Sequence, residues 1–366
     1  MTPCTVLISG AGVAGSTLAY WLARRGFRPT IVERSAELRS SGNPVDVRGP
    51  AVPVVEAMGV LPRLREVATV ATRMRLFDAR GRQVATVPMP ASRGDEVEVP
   101  RADLAAVLFG AARDETEIIF DDTITELQPD EAGVDVSFER AAPRRFDLVI
   151  GADGLHSAVR RIAFGAEHEF VRPTGMYVAT TMLDEPSDHP RDVLIYNAPG
   201  RLAAIHPGRG KSGAAFIFRA TGFDDRDPER QKAFVAETYA GLGWRIPELL
   251  GRLARADDVF FDAVSLVDLP SWTRGRISLL GDAATCVSLL GDGSSLAIAG
   301  AFTLAGALAE AADPATAFAG YERTHRRLVG SKQRGVGRSA ALLVPKTQVG
   351  LTVRNLAARL VPGGAR

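Results

Sequence analysis

The sequence predicts an α/β protein in which a βαβ-based unit and an antiparallel-sheet unit are interleaved along the chain, with helices closing the C-terminus. Three observations predict it. The N-terminus runs from an apolar stretch through a glycine turn and a helix-compatible segment into a second β-branched run. Between about Pro173 and Val264, several strand candidates are separated by Pro, Gly and Asp clusters. A last strand-like run and a long uncharged helical stretch then return to the first pattern.

In chain order, Cys4–Ser9 reads as a strand, Gly10–Gly15 as a turn, Ser16–Arg25 as a helix ending near Gly26, and Pro29–Arg34 as a second strand. Met74–Phe77 and Gln83–Val87 form a hairpin signal around Ala79–Arg82. Leu104, Ala105, Leu108 and Ala112 have helical spacing within Arg101–Ala112, and Phe146–Ile150 is a buried-strand run ending at glycine. Strand candidates follow at Gly175–Met182, Val193–Tyr196, Arg201–Ile205 and Ala214–Phe218, then a helix near Pro228–Tyr239. Arg276–Leu280 and Ser294–Glu310 read as strand and helix. The expected organisation is one domain from 1–70, 98–172 and 265–322, a second from 71–97 and 173–264, and a C-terminal helical segment over 323–366.

The 366 residues are 46% hydrophobic and 24% charged, an ordinary globular composition with room for two domains. A formal charge of +1 provides no field for nucleic acid. Cys4 and Cys286 are too few for a disulfide framework, which fits a reducing cytoplasm. His156, His168, His189, His206 and His325 lack metal-ligand spacing, so no metal is expected. The uncharged start is not read as a secretory signal, because Arg24 and Arg25 follow the apolar stretch and three glycines interrupt it. Gly293–Ala309 reads as a buried helix rather than an integral membrane span. From Arg323 onward there are ten basic residues and no acidic one, a pattern open to a membrane-surface or partner helix and read as a terminal helix with a solvated basic face.

Gly10, Gly12 and Gly15 form a GxGxxG between strand and helix. Gly10 permits the tight turn, Gly12 lets the backbone approach a pyrophosphate, and Gly15 allows close helix packing, with Ala14 inside the same first turn. Glu33 ends the second strand, where its carboxylate can accept hydrogen bonds from ribose hydroxyls. The motif alone leaves FAD and NAD both open. Asp147–Arg160 and Arg276–Ala284 repeat the form of a strand followed by a glycine turn bearing an acid, and the second precedes Gly291-Asp292-Gly293 and the long helix. A helix starting near Gly293 aims its positive end at the ligand of that turn.

On these segments the chain resembles the FAD-dependent aromatic hydroxylases, the para-hydroxybenzoate hydroxylase-like monooxygenases that include tetracycline-modifying enzymes. The resemblance spans nearly the full length. It implies a Rossmann-like, glutathione reductase-type FAD-binding domain beside a substrate domain. By position it implies that Glu33 and Arg34 hold the adenosine ribose and that Arg101 reaches the phosphate and ribityl region. It further assigns Asp153, Gly154 and Arg160 to FAD and NAD(P)H, and Asp282 to ribityl and pyrophosphate groups. Gly291 and Gly293 are expected to flank the flavin, and Arg48 to face it. Met176, Tyr196, Phe216 and Arg219 are the candidates for lining a substrate pocket between flavin and sheet. The activity it implies uses NAD(P)H and O2 to oxygenate an aromatic or polyketide-like molecule through a flavin C4a-hydroperoxide, in a monomer or homodimer.

One segment departs from that pattern. Thr285–Gly293 lacks the family's prolines and places Asp292 where the flavin's anionic end would lie, so its carboxylate is expected to oppose charge on reduced flavin. A non-oxygenating cyclase or isomerase with FAD as scaffold is the alternative this raises. Gly243-Trp244-Arg-Ile246-Pro247 matches half of a flavin-halogenase motif but reads as a turn before a helix, and Cys286 as a small loop residue.

Overall fold

The computed structural model describes residues 3–38, 44–89, 95–208, 210–286 and 292–360. Thr5–Ser9, Arg28–Glu33 and Leu148–Gly151 are runs of apolar residues with no polar alternation, and they lie at the centre of a parallel sheet covered on both faces. Its six strands run Thr273–Arg274, Ile277–Leu279, Leu148–Gly151, Thr5–Ser9, Arg28–Glu33, Glu117–Phe120, parallel except for the first pair. The helix Val13–Ala23 follows the first strand and packs against Arg101–Ala112 and Gly293–Glu310.

The second large sheet has seven strands: Val259–Val267, Val171–Leu183, Ser212–Arg219, Arg201–His206, Asp192–Ala198, Arg73–Phe77 and Gln83–Pro88. Neighbours are antiparallel except Asp192–Ala198 with Arg73–Phe77. Alternation along the strands gives this sheet two apolar faces. One, with Tyr196, Ala203, Phe216 and Phe218, packs under the helices Pro228–Tyr239 and Ile246–Arg255. The other, with Val178, Ala204 and Ile217, packs with Ala340, Val344 and Ala358 of the C-terminal segment.

Two smaller sheets complete the structure: Pro44–Val47 with Val97–Pro100, and the meander Ile124–Pro129, Val134–Phe138, Arg144–Phe146. The chain ends in two helices, Pro314–Leu343 and Gln348–Arg359. Gly293–Glu310 alone among the described helices is long and apolar enough to cross a membrane, with mean hydropathy 1.2. It is a core helix here, with Leu296, Ile298, Ala301 and Leu304 buried against the neighbouring helices.

Trp244 adopts the left-handed conformation (φ 58°) and lies over the rings of Tyr196 and Phe77, at 5.7 and 5.9 Å. A Cβ on Gly243 would come 2.3 Å from the Ala79 carbonyl oxygen. The Gly243–Pro247 stretch is thus a tight turn leading into the helix Ile246–Arg255.

Candidate FAD site

The first glycine turn divides its labour. Gly10 is left-handed (φ 102°), and a Cβ there would meet the Ala152 carbonyl at 2.7 Å. On Gly15 a Cβ would stand 2.0 Å from the Gly10 carbonyl, which fixes how closely helix and strand approach. At Gly12 nothing lies within 4 Å, and the residue is exposed. The N-terminus of an 11-residue helix, with no side-chain cap, therefore faces an open cradle that a side chain would fill. Backbone N–H groups and a positive helix end suit a pyrophosphate there.

Glu33 stands beside this cradle. Its Oε2 accepts from Ala11 N–H (2.9 Å) and its Oε1 from Ser35 N–H (3.0 Å), which locks the carboxylate at the end of the strand. Arg34 next to it is exposed.

Gly281 (φ 63°) brings the second turn against the first: a Cβ there would lie 3.0 Å from the Ala14 Cβ. The following Asp282 is 3.9 Å from the Arg101 guanidinium. About a third of the Asp282 side chain reaches solvent, yet the groups packed around it raise its pKa against the pull of Arg101. A Cβ on Gly293 would sit 3.8 Å from Asp282 Oδ1, so the N-terminus of the long helix opens onto the same place. Gly291 lies outside the described residues.

Asp153 and Arg160 act on the protein itself. Asp153 Oδ2 accepts from the N–H groups of Ala158 (2.8 Å) and Val159 (3.1 Å) and from Ser9 Oγ (3.2 Å), while Oδ1 accepts from Ser157 Oγ (2.5 Å). It thereby anchors the start of the helix Ala158–Ala163, after the left-handed Gly154. Arg160 is fully buried and donates to the carbonyls of Ala283 (3.0 Å) and Leu155 (2.5 Å), tying two strand-end loops together. Its guanidinium has no exposed surface to offer a passing nicotinamide.

The unbalanced charge expected at Asp292 is absent, because two cations hold it. Arg48 donates from Nε to Asp292 Oδ1 at 2.9 Å, and Lys332 Nζ lies 2.9 Å from Oδ2. Arg48 also contacts Asp46 (3.3 Å), and Ser295 Oγ bridges the Arg48 N–H and the Asp46 carbonyl. Burial pushes Asp46 up, with Arg48 opposing. The sequence reading missed Lys332, Asp46 and Ser295, because nothing in a linear order relates residues 46, 292 and 332.

The substrate-lining candidates scatter. Tyr196 and Phe216 are buried on the sheet face under the helices, away from the glycine turns. Side-chain alternation accounts for this: each faces opposite to its strand neighbours Ile195 and Ile217. Met176 is buried on the other face, and Arg219 donates to the carbonyls of Val344 (2.9 Å) and Ala340 (3.0 Å), a link to the C-terminal helix. The same face is joined to the first unit by two unforeseen histidine pairs, His206 with Glu98 (3.5 Å) and His156 with Asp262 (3.4 Å).

Residues 3–329 match the family described as FAD binding domain. The chain belongs to this FAD-dependent monooxygenase family. It is 40% identical over 319 residues to an uncharacterized protein of Mycobacterium tuberculosis, covering 84% of this chain and 86% of the relative. A flavin-dependent monooxygenase of Legionella longbeachae is 35% identical over 349 residues, covering 93% and 90%. The crystal structure of the tetracycline destructase Tet(55) superposes with a TM-score of 0.85 at 34% identity, covering 98% of this chain and 95% of that one. The FAD of this flavoprotein family fits the open, uncapped cradle at Gly12 and the second helix N-terminus at Gly293.

Proposed function

We propose that this chain oxygenates an aromatic or polyketide-like small molecule with NAD(P)H and O2, in the cytoplasm, as a monomer or homodimer. The observation that carries it is the pair of uncapped helix N-termini, at Gly12 and Gly293, brought to one site by the contact of Gly281 with Ala14. Bound FAD supplies the two-electron chemistry and the activation of O2. The protein's part is positioning. The Gly12 turn binds the pyrophosphate, Glu33 accepts from the ribose, and Arg34 lies alongside. Arg101 and Asp282 orient the central part of the cofactor, while Gly291, Gly293 and Arg48 serve its anionic end. Asp153, Gly154 and Arg160 act through the loops they brace.

The domain division at 1–70, 98–172 and 265–322, against 71–97 and 173–264, with 323–366 as a C-terminal segment, belongs to the same reading, as does the glutathione reductase type of the first domain. The face bearing Val178, Ala204 and Ile217 is the wall we assign to the substrate, in place of Tyr196 and Phe216. An apolar wall excludes water and suits a largely apolar ring system. The similarity to the tetracycline destructase Tet(55) supports a polycyclic substrate class.

The test is anaerobic reduction of the yellow protein by NADPH and NADH with a panel of phenolic and polycyclic compounds, followed by admission of isotopically labelled O2. Flavin bleaching and one labelled oxygen in product are expected. No bleaching with either nicotinamide, whatever the compound, overturns the proposal in favour of a non-oxygenating enzyme.

A further inference from the structure

The helix Gln348–Arg359 packs on the edge strand of the seven-stranded sheet. Arg359 Nε donates to the Val84 carbonyl (2.8 Å), Arg354 donates to Asn197 Oδ1 (2.8 Å), and Leu351 and Ala358 are buried beneath it. The opposite face is apolar. Val349, Val353, Leu356 and Leu360 are 73%, 62%, 59% and 78% exposed, and steps of four, three and four align them in one row. Leu342, near the end of the preceding helix, is 63% exposed. Single exposed apolar side chains are ordinary, but a continuous row of them marks a contact surface. The solvated basic face expected for this segment is thus, in its last helix, an apolar ridge.

The charges beside the ridge favour one occupant. The chain from residue 323 on carries ten Arg or Lys and no Asp or Glu. Arg338, Lys346 and Arg359, on or between the two C-terminal helices, are exposed. A second copy packed ridge to ridge would set like charges against each other. The positions flanking the row, Gly350, Thr352, Ala357 and Arg359, offer no carboxylate to pair them, as a two-helix seam requires. A bilayer rich in anionic headgroups accepts the apolar side chains and neutralises the cations together. We propose that this ridge docks the protein reversibly on an anionic phospholipid surface, as a helix lying in the interface plane. This rests on the helix alone and is independent of the activity assigned above.

The experiment is co-sedimentation of the full-length, FAD-loaded protein with vesicles of phosphatidylcholine, alone or mixed with phosphatidylglycerol, alongside light scattering of the free protein. Binding to the mixed vesicles is expected. Paired Val353→Ser and Leu356→Ser substitutions should weaken it about tenfold or more by removing buried side chains from the lipid. Lys346→Glu with Arg338→Glu should abolish the preference for phosphatidylglycerol. All four positions are exposed, so the variants should keep the flavin spectrum and melting temperature of the parent. No binding to mixed vesicles overturns the proposal, as does equal binding to both vesicle types. A concentration-dependent dimer dissolved by the paired serines also overturns it and assigns the ridge to a second copy.

Discussion

The glycine turn at residues 10–15 separates folding from binding one residue at a time. A methyl group on Gly15 collides with the Gly10 carbonyl, so Gly15→Ala should destabilise the protein by about 1–3 kcal/mol through overpacking. Gly12→Ala meets no protein atom and should melt like the parent, yet hold FAD less tightly. Thermal melts paired with FAD titration check both, and equal melting of the two variants would refute the division. The Asp292 cluster makes a second prediction. Lys332→Met removes one of the two cations from Asp292 and should lower the flavin's midpoint potential, with Lys332→Arg restoring it. A potential unchanged in Lys332→Met would show that this charge does not reach the flavin. The glycines and Glu33 were legible because each backbone constraint is local. Lys332 was not, since its partner lies forty residues away and only the packing of two helices joins them.

At the scale of elements, legibility followed the hydrophobic pattern. Arg101–Ala112 and Pro228–Tyr239 have the expected bounds, because their apolar spacing and end signals agree. The meander over 124–146 escaped because its buried residues, Val134, Val136 and Phe146, are diluted by Glu126, Asp130, Glu131 and Asp135. Arg145, which pairs with both Asp130 and Asp135, then ties its strands together. The strand Val259–Val267 was missed as well, its start being half-exposed at the sheet edge. The packing of the long helices carries a pH dependence. His325 is buried, stacked on Tyr321 and close to Gly300, and burial pushes its pKa down to about 4. The unfolded chain takes up this proton near pH 6.5 while the folded chain resists it. Stability should therefore fall as pH drops from 6.5 through about 4 and then level off. His325→Asn should lose packing at neutral pH but flatten that acid limb in melts from pH 7 to 4.

Across the whole molecule, His156 works in the opposite sense. Its hydrogen bond to Asp262, assisted by Glu167, raises its pKa above 6.5 against the effect of burial, and it links the 153–157 loop to the seven-stranded sheet. That contribution is present in full below pH 6.5 and is lost as pH rises through the raised value. The melting temperature of the parent should exceed that of His156→Gln at pH 6 and converge with it at alkaline pH. The difference should be small, because the imidazole is half-exposed. An equal gap at every pH would mean that the histidine acts by shape alone.

The chain leaves the parallel sheet and the small Pro44–Val47 sheet beside it for the seven-stranded one before Arg73, comes back to the small sheet at Val97, leaves again at Val171 and comes back to the parallel sheet by Thr273. Four strands of peptide thus sew the halves together. A protease cutting once in any surface loop frees neither sheet as a piece of its own, and no gene fragment with a single new end encodes one sheet alone. Joined in this way, the two sheets should come apart in a single melting transition, which calorimetry would show as one peak.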